Sequence, residues 1–132
     1  MPAPDGRPAF EPLTGLRVVA EPAALDAVRW GEGVTVLRLA PDDAFAIDAM
    51  AADVTVDDAH AIVEPEAGFS GAWVELDAVR RHVEWALPDE RPALAQGFVA
   101  TVPARVWLPD GSDRVLLVTA TAYADELAGR LR

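Results

Sequence analysis

Short apolar runs with turn residues between them dominate this chain, and residues 16–20, with Leu16, Val18 and Ala20 alternating, read as its first strand. Pro22 at a first helical position opens a weak helix over residues 23–29, with Leu25 and Val28 inward and Gly31 and Gly33 ending it. Residues 34–40 and 45–48 form a hairpin pattern, because Pro41, Asp42 and Asp43 supply turn chemistry between two apolar stretches. Residues 50–58 fit either a short helix or a connector: Val54 and Val56 alternate, while Asp53, Asp57 and Asp58 favour solvent.

Residues 60–64 and 69–76 read as a second strand pair around Pro65, Glu66, Ala67 and Gly68. Asp77 is placed to cap a helix that carries Val79, Val83, Ala86 and Leu87 on one face and an Arg80–Glu84 pair outside, with Pro88 stopping it. Residues 97–108 form a long β segment interrupted at Pro103. The turn Pro109, Asp110, Gly111 and Ser112 leads into residues 114–119, a strand apolar on both faces and so expected at the centre of a sheet. Thr121 then caps a closing helix in which Tyr123, Leu127 and Leu131 stack. The pattern predicts an α+β fold, an antiparallel sheet with helices packed on one face. Met1 to Pro12 holds Pro2, Pro4, Pro8 and Pro12 and reads as a disordered tail, leaving 13–132 as a single domain.

Composition narrows the chemistry more than it names it. The 132 residues contain no Cys, Lys or Asn, one Tyr, one Gln and two His, so disulfides, thiolate catalysis, Schiff bases and cysteine ligation are excluded. Net charge is −11, with 22 carboxylates against 11 scattered arginines; nucleic acid is therefore a disfavoured partner. No apolar run reaches the roughly 18 residues of a bilayer helix, and the first residues show neither a basic nor an apolar signal region. A cytoplasmic protein without membrane contact is the expectation.

Individual motifs are weak. Asp42-Asp43 and Asp57-Asp58 lack the spacing of a calcium loop and read as solvated turns. Glu64 and Glu66 share one face of an extended backbone, and Glu75 is expected near them across the hairpin, a carboxylate grouping suited to acid/base work. His82 falls beside Val79 and Val83, and His60 has no second ligand in local spacing, so no metal site is expected. Ser70 in Gly68-Phe-Ser-Gly71 is not a nucleophile elbow, and Gly31-Glu-Gly33 lacks the setting of a phosphate loop. Of the four tryptophans, Trp30, Trp73 and Trp107 read as core bulk. Trp85 is expected on the outer side of its helix beside exposed Arg81, and these two are the candidate partner-binding residues.

Three segments, Val36-Leu-Arg-Leu-Ala-Pro-Asp-Asp-Ala-Phe45, Ala61-Ile-Val-Glu-Pro-Glu-Ala-Gly-Phe-Ser70 and Ala95-Gln-Gly-Phe-Val-Ala-Thr-Val-Pro-Ala-Arg-Val-Trp107, resemble the gamma subunit of heterotetrameric sarcosine oxidase. The ending, Val115-Leu-Leu-Val-Thr-Ala-Thr-Ala-Tyr-Ala-Asp-Glu-Leu127, is similar to that family as well. The resemblance covers residues 34–132 in apolar pattern and turn residues. The segment after Phe69 departs from the Leu-Ser-Gly usual there, and the Lys-Gly-Cys of the related iron–sulfur maturation proteins is absent. The resemblance implies a fold like the folate-binding domain of the glycine-cleavage T-protein. It also implies a non-catalytic accessory subunit, holding no cofactor or catalytic residue of its own, that docks on the larger flavoprotein subunits of an amine-demethylating oxidase. The alternatives are a folate-linked one-carbon enzyme using Glu64, Glu66 or His82, and a free-standing homo-oligomeric binding protein.

Overall fold

A computed structural model describes residues 6–132; the first part of the expected tail, residues 1–5, lies outside the described residues. The structure is mostly antiparallel sheet with few and short helices, the longest seven residues. The chain divides into two compact units, Leu13–Ala67 and Gly68–Arg132 together with Met1–Pro12.

In the unit Leu13–Ala67 the strand β3 (Asp43–Ile47) lies between β1 (Glu11–Val19) and β2 (Thr35–Ala40), antiparallel to both. The expected hairpin over 34–48 is thus β2 and β3. The first strand starts five residues earlier than its apolar alternation suggests. Glu11 and Pro12 belong to β1, and the half-buried Phe10 packs against the core of the other compact unit, to which it belongs, so the expected tail reaches into ordered structure. Helix α1 (Pro22–Asp26) is short and buries Ala24 and Leu25 against Leu16, Val18, Ala44 and Ala46. Gly15 is required by packing: a Cβ there would sit 2.0 Å from the carbonyl oxygen of Ala46 on the neighbouring strand. The ambiguous stretch 50–58 resolves as a 3-10 turn at Ala51–Asp53 followed by coil.

In the second unit the strand order is β4–β7–β6–β5, with β4 Ile62–Glu75 entering from the first unit, β5 Ala93–Val99, β6 Val102–Leu108 and β7 Arg114–Ala120. As its two apolar faces predict, β7 is flanked on both sides, by β4 and β6. Every second residue of β6, from Val102 to Leu108, is buried. These positions join Ala72, Val74, Val115 and Leu117 in one cluster, which also takes Leu76 and Val79 from α2 (Leu76–Arg80) and Leu127 from α3 (Ala124–Arg130).

Four expectations are corrected here. Residues 60–76 do not fold back as a hairpin. They form the single 14-residue strand β4, whose residues Phe69 to Glu75 take β7 as their partner, pairing with Ala120 to Arg114 instead of folding back on residues 60–64. The break in 97–108 falls at Ala100 and Thr101, not at Pro103: both residues have positive φ, 48° and 67°, making the two-residue turn between β5 and β6. The helix expected through Leu87 ends at Arg80. Asp77 stands in its first turn without capping it and pairs with Arg80 at 3.3 Å, so the Arg80–Glu84 pair is absent. Thr121 likewise caps nothing; a 3-10 turn at Thr121–Tyr123 precedes α3, and the Thr121 hydroxyl meets that of Ser70 at 2.9 Å.

Candidate partner-docking site

The truncation of α2 shapes a cleft beside the predicted contact residues. Beyond Arg80 the backbone turns away, and the His82 carbonyl, freed from helical bonding, accepts the N–H of Ala100 at 2.7 Å. The following residues then lie along β5. Trp85 settles on the backbone of Gly97, where an added Cβ would stand 2.8 Å from the indole Cε2. Its Nε1 donates to the Phe98 carbonyl at 2.9 Å. Glycine at 97 is what lets the indole lie this close.

The result is a cleft of about 560 Å³ lined by Arg81, His82, Trp85, Phe98, Ala100 and Thr101 among others. Arg81 also lines a neighbouring cleft of about 500 Å³ that holds Trp73, Glu75 and Arg114. Arg81 and Trp85 are therefore brought to one cleft. Trp85, however, is not the exposed outer-face residue expected: it is half-buried and packs against the core cluster, because the helix that would have turned it outward stops five residues earlier. Arg81 is exposed, and its guanidinium has no ionic partner among the described residues. The large exposed aromatics of the region are Phe98, at 62% of its full exposure, which sequence reasoning passed over, and Trp73, at 49%, which is therefore not the core bulk expected of it. The only sequence signal for Phe98 was the alternation of β5, which puts it opposite the buried Val99.

The turn Ala100–Thr101 that closes this cleft is held from two directions. His82 fixes the Ala100 N–H, and Arg130 reaches back from α3 to the Ala100 carbonyl at 3.0 Å and to the Thr101 hydroxyl, while also meeting Glu126 at 2.5 Å. Non-glycine residues at positive φ are strained, and these contacts hold the strained form in place.

The carboxylate grouping proposed from sequence is not assembled. Glu64, Glu66 and Glu75 lie on the same continuous strand, so no hairpin brings Glu75 across. Glu66 instead accepts from Arg17 at 2.9 Å, and the same guanidinium binds Asp43 through two bonds of 2.6 and 2.7 Å. The Asp43 bonds first, then Glu66, hold the Arg17 guanidinium even more firmly protonated than usual, against a partial burial that acts the other way. Glu64 is exposed. His60 is exposed and its backbone N–H binds the Asp58 carboxylate, as does that of Glu21; these two bonds, Glu21's the larger, hold Asp58 below the usual carboxylate range. Among the described residues no group of three His, Asp or Glu side chains is arranged as a metal site, and no helix is long and apolar enough to cross a membrane.

The sequence matches no described protein family, and no curated protein matches it. Among solved structures, the chain is similar to one from the heterotetrameric sarcosine oxidase of Corynebacterium sp. U-96, in complex with pyrrole 2-carboxylate. The TM-score is 0.70 at 16% sequence identity, covering 93% of this chain and 80% of that one. At that identity the likeness establishes a shared fold.

Proposed function

We propose that this protein is a non-catalytic, gamma-like accessory subunit of a sarcosine-oxidase-like, flavin-dependent amine-demethylating complex, working in the cytoplasm and docking on larger flavoprotein subunits. The observation that carries this reading is the fold likeness over 93% of the chain to a chain of a heterotetrameric oxidase. The segment resemblance to the gamma subunit, with its implied kinship to the T-protein folate-binding domain, points the same way. So does a residue set without Cys or Lys, which leaves little catalytic vocabulary. The cleft of Arg81 and Trp85 is the docking surface in this reading, with the aromatic wall for apolar contact and the arginine for orientation.

Co-expression of the tagged chain with the flavoproteins encoded beside its gene tests the proposal. The expected product is a complex of fixed stoichiometry with flavin absorbance and amine-dependent peroxide release. Single Glu64→Ala, Glu66→Ala and His82→Ala variants should leave its turnover within a few-fold, since no bond-making group is removed. A chain that purifies alone beside a fully active flavoprotein sinks the reading, and a hundredfold loss of kcat in an intact complex would favour an enzyme instead.

A further inference from the structure

Arg81 lines two clefts, and the face they make together is wider than the Trp85 cleft alone. On one side are Trp85 and the exposed Phe98. On the other, β4 alternates across its sheet: Ala72 and Val74 enter the core, which leaves Trp73 and Glu75 on the open face. Arg114 stands opposite Glu75 in the β4–β7 register and is held there, donating to the Glu75 carboxylate at 3.2 Å and to the Trp73 carbonyl at 2.8 Å. The charges beside Trp73 are thus matched within the chain. Arg81 differs. Asp77, one helical turn before it, pairs with Arg80 at 3.3 Å, and Glu75 is taken by Arg114. Glu11 and Glu84, the other carboxylates lining the two clefts, make no ion pair with it.

An arginine without an ionic partner, flanked by exposed aromatic side chains, has the composition of an interface centre rather than of an ordinary solvated face. We propose that this double cleft docks an acidic segment of a partner protein. An Asp or Glu side chain of the segment meets the Arg81 guanidinium, and large apolar side chains on either side of it enter the Trp73 cleft and the Trp85–Phe98 cleft. The carboxylate supplies a charge-assisted bond that the arginine fork can make bidentate, and the apolar side chains supply buried area. An extended segment meets this demand with alternate residues, which share one face. Glu84 is exposed in the same cleft and opposes the incoming carboxylate, so its neutralisation should tighten binding. A second copy of this chain is the poorer occupant, since it brings a net charge of −11 against the same charge. The inference rests on the accessory-subunit reading for the choice of this face and adds the chemistry of what the face receives.

The test is a titration of the full isotope-labelled chain, followed by NMR, with two synthetic capped peptides, Gly-Leu-Ser-Asp-Ser-Leu-Gly and its counterpart with Asn in place of Asp. The acidic peptide is expected to shift the Arg81 amide, the Phe98 amide and the indole N–H signals of Trp73 and Trp85, and to bind about tenfold more tightly, the effect of one charge-assisted bond. Arg81→Gln should abolish that preference, and Phe98→Ser should weaken both peptides alike. Should Arg81→Gln fail to fold, Glu84→Gln, at another exposed position, must tighten the acidic peptide and leave the Asn peptide unchanged. Equal affinity for the two peptides, shifts centred elsewhere, no binding, or a concentration-dependent dimer lost in Phe98→Ser overturns the inference. Failure here with an intact heteromeric complex leaves the subunit reading standing, whereas absence of any such complex fails that reading and leaves the peptide result untouched.

Discussion

Arg17 shows how one side chain organises the compact unit Leu13–Ala67. Its planar fork meets Asp43 through two nitrogens and Glu66 through a third, at 2.6 to 2.9 Å, and all three side chains are at least two-thirds buried. Truncation leaves two carboxylates facing each other without their cation. Arg17→Ala is expected to cost about 2 kcal/mol, the scale of charged hydrogen bonds lost from a partly buried site, seen as a lower urea midpoint at unchanged slope. Arg17→Lys should fall between, because an ammonium keeps the charge and loses the fork. An unchanged midpoint in Arg17→Ala would mean that the network contributes geometry and no stability. Asp58 gives the pH-dependent counterpart. Backbone bonds from Glu21 and His60 stabilise its charged form, so its pKa in the folded chain lies below that of a free aspartate. Its contribution is then full above the unfolded value and is lost as pH falls through the folded one. A carbon-detected titration should place its midpoint below that of an unstructured aspartate, and Asp58→Asn should flatten the acid limb of the stability profile; a midpoint at the free value refutes this.

At the scale of elements, the period-two segments were legible and their connections were not. The β2–β3 hairpin follows from Pro41, Asp42 and Asp43, and the central place of β7 from a strand apolar on both faces. Both signals are local. The misread segments were decided by distant partners: α2 stops because the His82 carbonyl finds Ala100 and Trp85 finds Gly97, contacts 18 and 12 residues away that no spacing encodes. The β5–β6 turn was invisible for another reason, since Ala100-Thr101 lacks the Asn or Gly that such a turn prefers. Strain of that kind is removable. Thr101→Gly should stabilise the chain by about 1 kcal/mol through relief of the positive φ, offset in part by the lost hydroxyl contact to Arg130. A fall in melting temperature would show that the Arg130 contact outweighs the strain. The candidate site was half legible: Arg81 and Trp85 do share a cleft, but the helical argument that placed Trp85 outside was wrong, and Phe98 carries the exposure instead.

Across the molecule the acidity is uneven, and this bears on docking. Residues 13–67 hold eleven carboxylates against Arg17, Arg29 and Arg38, a net −8, so the remainder of the chain carries only −3 despite being longer. In the proposed complex, long-range charge is expected to steer assembly while the close contacts fall to the less charged unit, and the association rate with a basic partner face should fall as salt rises. Within that unit Trp85 and Arg81 test different things. The indole packs on the core and satisfies the Phe98 carbonyl, so Trp85→Ala removes stability and surface together and a weakened complex would be ambiguous. Arg81 is exposed and without an ionic partner among the described residues. Arg81→Glu should leave the melting temperature within the few tenths of a kcal/mol typical of surface changes, yet weaken assembly by about tenfold if the cleft is the docking surface. The measurement is the dissociation constant of the assembled complex beside a thermal melt of the isolated chain. Assembly as tight as in the parent, with an unchanged melt, moves the interface away from this cleft.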